Sequence, residues 1–355
     1  MNHDIMKDSA ENRIAETDGT SLKESVAVSE DMTAESPGTI DNKKSNKKKI
    51  KKILKYVFIV LVLIFLGRYF YRNREDYAKL DVKINWWVFS AAVVMHFIYK
   101  IMQASLWHYI TILNDCSIKW FNAVVAYLYS ILGKYIPGKV FMLLARIPAY
   151  EEEGKSIGKV SVSFLIENVC TLLGAAFLFL LSLIFIPADV LADFGKYKWA
   201  TLLLVVIFFV CINPKIINFF LGILQKITKK DNLKIPITYP QMIKVVVLFI
   251  LNWIVLGIGF YMVAYSIHVI PMSEMLYVAG VFGLSVIIGI LAIFAPSGLG
   301  VREGILVLGL SFIIPKEYAV IISIVSRLWM TVSELSVIGL GFVADKVHKH
   351  RIKQK

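Results

Sequence analysis

Apolar residues along this chain collect in long unbroken runs, not at alternate positions. The runs fall at 53–71, 85–113, 120–136, 138–149, 160–186, 198–213, 241–269, 275–295, 303–314 and 317–344. An α-helix rises 1.5 Å per residue, so about twenty apolar residues cover the hydrocarbon layer of a bilayer. Barrel strands are shorter and alternate in polarity, which excludes that architecture. Runs 138–149 and 303–314 are too short to cross alone, and each follows a longer run across a Pro-Gly or Pro-Ser-Gly break. The pattern therefore predicts an all-α polytopic membrane protein. It has about six full spans and two re-entrant or broken-helix hairpins, at 120–149 and 275–314.

Charge orients these elements. The chain has 355 residues, 57% of them hydrophobic, with 39 Lys and Arg against 26 Asp and Glu. Residues 1–50 are polar and poor in aromatics, which predicts a disordered cytoplasmic segment and no cleavable leader. Eight lysines lie between Lys43 and Lys55, just before the first span. Such a block holds the N-terminus inside and can attract anionic lipid headgroups. Alternating crossings from there place the basic loop 213–240 and the basic tail 346–355 in the cytoplasm as well. The expected localisation is the cell membrane, multi-pass, with both termini cytoplasmic. The transmembrane domain is expected over 51–345.

The same count exposes a repeat. The order span–hairpin–span occurs at 85–186 and again at 241–344, and the extra span 198–213 between them inverts the second copy. Pro137 and Pro296 stand at matching places, with Glu167 30 residues beyond the first and Arg327 31 beyond the second. Inverted repeats with interrupted helices are a recurring transporter architecture.

Ionisable residues inside these runs are the candidate chemistry, because a charge at bilayer depth costs at least about 2.5 kcal/mol on insertion scales. The first hairpin tip reads GKYIPGKVFMLLAR, with Pro137 and Gly138 making the turn. Lys139 and Arg146, seven residues apart, share a helix face. Lys134 is close enough to the break to snorkel to the interface. The second tip reads APSGLGVREG. Pro296, Gly298 and Gly300 break the helix, and Arg302 and Glu303 fall in the first turn of the next. Free N–H groups at that turn together with Arg302 suit a phosphate. Glu303 can pair with Arg302, with Arg327 or with another cation. Glu167 and Arg327 lie well inside apolar runs, with Glu334 two turns after Arg327. A purely structural ion pair between helices looks the same from sequence. The three cysteines, Cys116, Cys170 and Cys211, and the six histidines show no disulfide or metal spacing. No metal, cofactor or nucleic acid is expected, and no nucleotide-binding loop is present.

Taken in order, GKYIPGKV with Arg146, and Pro296, Gly298, Gly300, Arg302 and Glu303 as P-x-G-x-G-x-R-E, resemble the signatures of the lysylphosphatidylglycerol synthase transmembrane region. The wider flippase-like integral membrane family shares that region. Glu167 and Arg327 match further positions of the pattern, whereas the residue after the glutamate, often basic in the family, is Asn168. The resemblance covers roughly 50–345, and no aminoacyl-transferase domain is expected after it. It implies movement of an anionic or aminoacylated phospholipid, or of a polyprenyl-phosphate-linked lipid, between leaflets, without a covalent reaction. Lys139, Arg146, Arg302 and Arg327 would hold the headgroup, and Glu167 and Glu303 would be their charge partners. Two alternatives stay open: a membrane-embedded transferase acting on a lipid-linked donor, and a non-transporting partner of an enzyme of lipid or glycan synthesis.

Overall fold

The computed structural model describes residues 83–135, 140–184, 237–292, 298 and 300–353, with a few isolated positions between 199 and 222. The expected spans 53–71 and 198–213, and the lysine block before the first, lie outside the described residues. Among the described residues the structure is helical throughout, without a strand. We number the helices α1 (Trp86–Leu113), α2 (Trp120–Ser130), α3 (Val140–Glu151), α4 (Ile157–Ile184), α5 (Tyr239–Ile267), α6 (Met275–Leu291), α7 (Val301–Leu310) and α8 (Lys316–Lys353). A 3₁₀ segment, Ile131–Tyr135, extends α2.

Both predicted hairpins form. Helix α3 folds back on α2, and α7 on α6. In the first, Gly133 lies so close to the other leg that a Cβ there would sit 2.7 Å from the Met142 nitrogen. In the second, a Cβ on Gly298 would sit 2.6 Å from the Gly289 Cα, and Gly298 has φ +66°. Glycine is the residue that permits both the close approach and the left-handed backbone. Five helical stretches are long and apolar enough to cross a membrane: Trp86–Leu113, Ile157–Ile184, Tyr239–Ile267, Met272–Leu291 and Lys316–Arg351. The fourth of these is the first leg of the second hairpin.

Helices α1 and α5 are antiparallel along their whole length. The Asn85 N–H donates to the Ser266 carbonyl at 2.8 Å. Farther along, Gly259 lies against Met95, and the Lys244 ammonium stands 5.3 Å from the Tyr109 ring centroid. The loops consequently gather at two opposite ends. At one end Asn114 Nδ2 donates to the Lys159 carbonyl at 2.7 Å, and the His348 ring of the C-terminal helix lies tilted against Phe121, centroids 4.5 Å apart. At the other, His268 packs 4.3 Å from Tyr318.

The interior is built from apolar and small side chains. Tyr99, Trp253, Phe260, Phe282 and Trp329 form the centre of the largest core cluster. Helix α4 meets α6 through Gly280 against Ser182 and Gly283 against Ala175, the close backbone approach on which helix association in lipid depends. The outer faces are equally apolar, with Leu328, Val332 and Leu340 exposed along α8. Lipid tails solvate such a surface as well as a protein core would.

Candidate functional site

Arg146 is fully buried and comes from α3, inside the first hairpin. Its guanidinium lies 4.2 Å from the Trp107 ring centroid, 4.4 Å from Tyr127 and 5.2 Å from Phe164. Nη1 donates to Glu167 Oε2 at 2.5 Å and Nη2 to Oε1 at 3.4 Å. Nε donates to Ser130 Oγ at 2.9 Å. Four helices thus converge on one cation, which has a carboxylate, a hydroxyl and three aromatic faces. A charge this deep persists only with such partners. Of the two meanings open to Glu167 from sequence, the structure shows the ion pair that ties α4 to the hairpin.

The second hairpin is organised differently. Gly300, with φ +81°, ends the break. Its N–H donates to Glu303 Oε2 at 2.7 Å, closing the first turn of α7. The other carboxylate oxygen of Glu303 lies 3.4 Å from Arg327 Nη1 on α8. Glu303 therefore pairs with Arg327, one of the cations open to it from sequence, and leaves its neighbour Arg302 alone. Arg302 is buried, with 7% of its surface exposed. Its guanidinium lies 4.7 Å from the Phe282 ring centroid, and Nη2 is 2.8 Å from Met330 Sδ. A thioether is a weak acceptor. Among the described residues no carboxylate forms an ion pair with Arg302.

A third group of charges joins Lys134 and Glu334, both visible in the sequence, to Lys100, which was missed there. Glu334 on α8, 2% exposed, forms ion pairs with Lys100 Nζ on α1 at 3.0 Å and with Lys134 of the 3₁₀ segment. Lys134 thus points into the bundle and does not snorkel. One turn before Lys100, His96 is wholly buried, edge-on to Trp329 at 5.1 Å. Neither of its ring nitrogens has a hydrogen-bond partner, and Ser333 Oγ, beside Glu334, is likewise buried and unpartnered. The Arg302 contact Met330 stands one turn before Glu334 on α8, so the two groups adjoin along that helix. The signal was legible: His96 and Lys100, four residues apart in MHFIYKIMQ, are polar residues on one face of a membrane helix.

Of the other expected site residues, Pro137, Gly138, Lys139 and Pro296 lie outside the described residues. The charged cluster is distinct from a groove of about 450 Å³ between the start of α1 and the end of α5, lined by Val88, Tyr261, Tyr265 and Met272.

These features define a class: a multi-pass helical membrane protein with two broken-helix hairpins, whose ionisable side chains are gathered inside the bundle. The chain belongs to the lysylphosphatidylglycerol synthase transmembrane-region family, whose model matches residues 52–334. Membership marks it as a membrane protein linked to lipid synthesis or lipid flipping. No curated protein matches the chain.

Proposed function

We propose that the protein is a lipid translocase, moving a lipid with an anionic headgroup between leaflets of the cell membrane without a covalent reaction. The observation that carries this reading is Arg302, a buried cation on a broken-helix hairpin with no carboxylate partner among the described residues. An unpaired charge in a low-dielectric interior is unfavourable until a counter-charge arrives. An anionic headgroup supplies that charge while its tails remain in lipid. Arg146 and Arg327 then act through the ion pairs that hold α3 to α4 and α7 to α8, and Glu334 organises the lysines beside Arg302.

The orientation follows from charge. Lys119, Lys155, Lys159, Lys346, Lys349 and Arg351 lie at the end of the bundle formed by loops 114–119 and 152–156 and by the C-terminal turns of α8. Among the described residues the opposite end has Lys83 and Lys316. The positive-inside rule assigns the first end to the cytoplasm.

The test is transport of a headgroup-labelled anionic phospholipid across vesicles containing the purified protein. Loss of a hydrogen bond to a charged group is worth about 1.5–3 kcal/mol, so Arg302→Ala should slow transport about ten- to hundredfold. A rate equal to the parent's, at equal reconstitution, would remove the proposal.

A further inference from the structure

Buried serines in this bundle satisfy their hydroxyls close to home. Ser130, Ser182, Ser266, Ser285, Ser323 and Ser326 each donate to a carbonyl one turn back on their own helix. Ser163 is bonded across helices, by Asn114 Nδ2 at 3.0 Å. Ser333 is the exception among the buried serines described. Its hydroxyl leaves the helix bond unmade, although the carbonyls of Trp329 and Met330 stand one turn back on α8. The groups around it are in the same condition. His96 on α1 is wholly buried and has no partner at either ring nitrogen. Trp329, 1% exposed, has none at Nε1. Their rings meet edge-on, centroids 5.1 Å apart. One turn farther along both helices Lys100 pairs with Glu334 at 3.0 Å. Helices α1 and α8 therefore run side by side in the same direction, and Ser333, between Trp329 and Glu334, stands at that seam. On the matching α5–α4 face the comparable indole, Trp253, donates to the Thr171 carbonyl at 2.8 Å.

We propose that the α1–α8 seam is a binding site for internal water, held by His96, Trp329 and Ser333. A polar atom left bare in an apolar interior is costly, and here such atoms gather on both sides of one helix contact. Their chemistry fits water. The indole N–H donates, the hydroxyl donates and accepts, and an imidazole in its neutral form has one donor and one acceptor. A buried water takes about three such bonds. The two imidazole nitrogens point away from each other, so one water cannot serve both, and the site is a short chain of waters. An apolar occupant would leave every one of these atoms unbonded. The water also reaches the ion pair. Ser333 adjoins Glu334, and Lys100 follows His96 by one turn, so water at the seam solvates the Lys100–Glu334 pair from within the bundle and lowers the desolvation cost of holding it there. The site does not depend on the translocase reading.

Radiolytic footprinting of the full chain in lipid nanodiscs tests this. Hydroxyl radicals formed from bound water in a short X-ray pulse oxidise the side chains that the water touches, including those that bulk solvent does not reach. Trp329 and Trp253 are almost equally buried, 1% and 2% exposed, and differ in their indole partners. With a buried water at its N–H, Trp329 should be oxidised at least about tenfold faster than Trp253, and His96 should be oxidised with it. Equal rates for the two indoles in the unmodified protein would overturn the inference by themselves. In the combined variant His96→Phe, Ser333→Ala the water loses its other partners, and the Trp329 rate should fall to that of Trp253. An unchanged Trp329 rate, in a variant whose Trp253 rate matches the parent's, would mean that His96 and Ser333 hold no water, and the site would be withdrawn. If the Trp253 rate rises in the variant, its fold has opened, and the comparison within the unmodified protein decides alone.

Discussion

Arg146 and Arg302 carry the same charge at similar burial, yet they stand in opposite situations. Arg146 has a carboxylate, a serine hydroxyl and an aromatic cage. Arg302 has a phenyl face and a thioether. The two should therefore respond oppositely to substitution. Glu167→Gln leaves the Arg146 cation buried and unpaired, and should destabilise the protein by about 3–5 kcal/mol. Thermal unfolding in detergent measures this, and a combined Arg146→Met, Glu167→Leu variant should recover most of the loss. Arg302→Met removes a cation with no ionic partner, so its melting temperature should equal or exceed the parent's while transport fails. A large drop in melting temperature would make Arg302 a structural residue. Stability given up for function is the usual signature of a binding site.

The hairpins depend on glycines whose roles differ within a few residues. Gly298 combines a positive φ with a 2.6 Å approach to Gly289. Alanine there meets both strain and a clash, and strain alone is worth about 1–3 kcal/mol. Gly304, six residues on and inside α7, would place its Cβ in open space. Gly304→Ala should leave stability unchanged or raise it by about 1 kcal/mol, the helix-propensity difference. Paired melting curves of the two variants check this, and equal effects would mean that the α6–α7 contact does not constrain the tip. The sequence showed that these stretches break and where they restart. It did not show that Glu303 closes its own helix turn and reaches Arg327, because that choice among cations depends on how α8 lies against α7.

Among the described helices, the same pairs touch when α1, α2, α3 and α4 are exchanged for α5, α6, α7 and α8. Helix α4 touches α6 as α8 touches α2, and α4 runs beside α5 as α8 runs beside α1. The equivalent helices α1 and α5 are antiparallel, so the two sets of four helices run in opposite senses. The ion pairs follow the same exchange with their signs reversed: Arg146 on α3 with Glu167 on α4, and Glu303 on α7 with Arg327 on α8. The symmetry fails at the α1–α8 face. There Lys100 meets Glu334, while at the matching α5–α4 face Trp253 packs on Gly174 and donates to the Thr171 carbonyl. Of these two matching faces, among the described residues, α1–α8 has the ion pair. For orientation, cysteines at Glu152 and Met272, both exposed, can be introduced into a variant lacking Cys116, Cys170 and Cys211. An impermeant thiol reagent added to intact cells should label position 272 and spare 152. Labelling of both from outside would contradict the assigned topology.

Hydropathy alone determined the class and the hairpins, because in lipid every backbone group must be satisfied within helices and the length of each run fixes what it can span. The motif residues Arg146, Glu167, Arg302, Glu303 and Arg327 were also visible as charges in apolar runs. Their partnerships were not, since helices apolar on every side carry no facing information in their pattern. Only the tertiary structure paired Arg146 with Glu167 and Glu303 with Arg327, and brought Lys100, Lys134 and Glu334 together across more than 200 residues of chain. The physical reason is that a buried charge is stabilised by what lies within a few ångströms, and those distances belong to the packing of helices, not to their order.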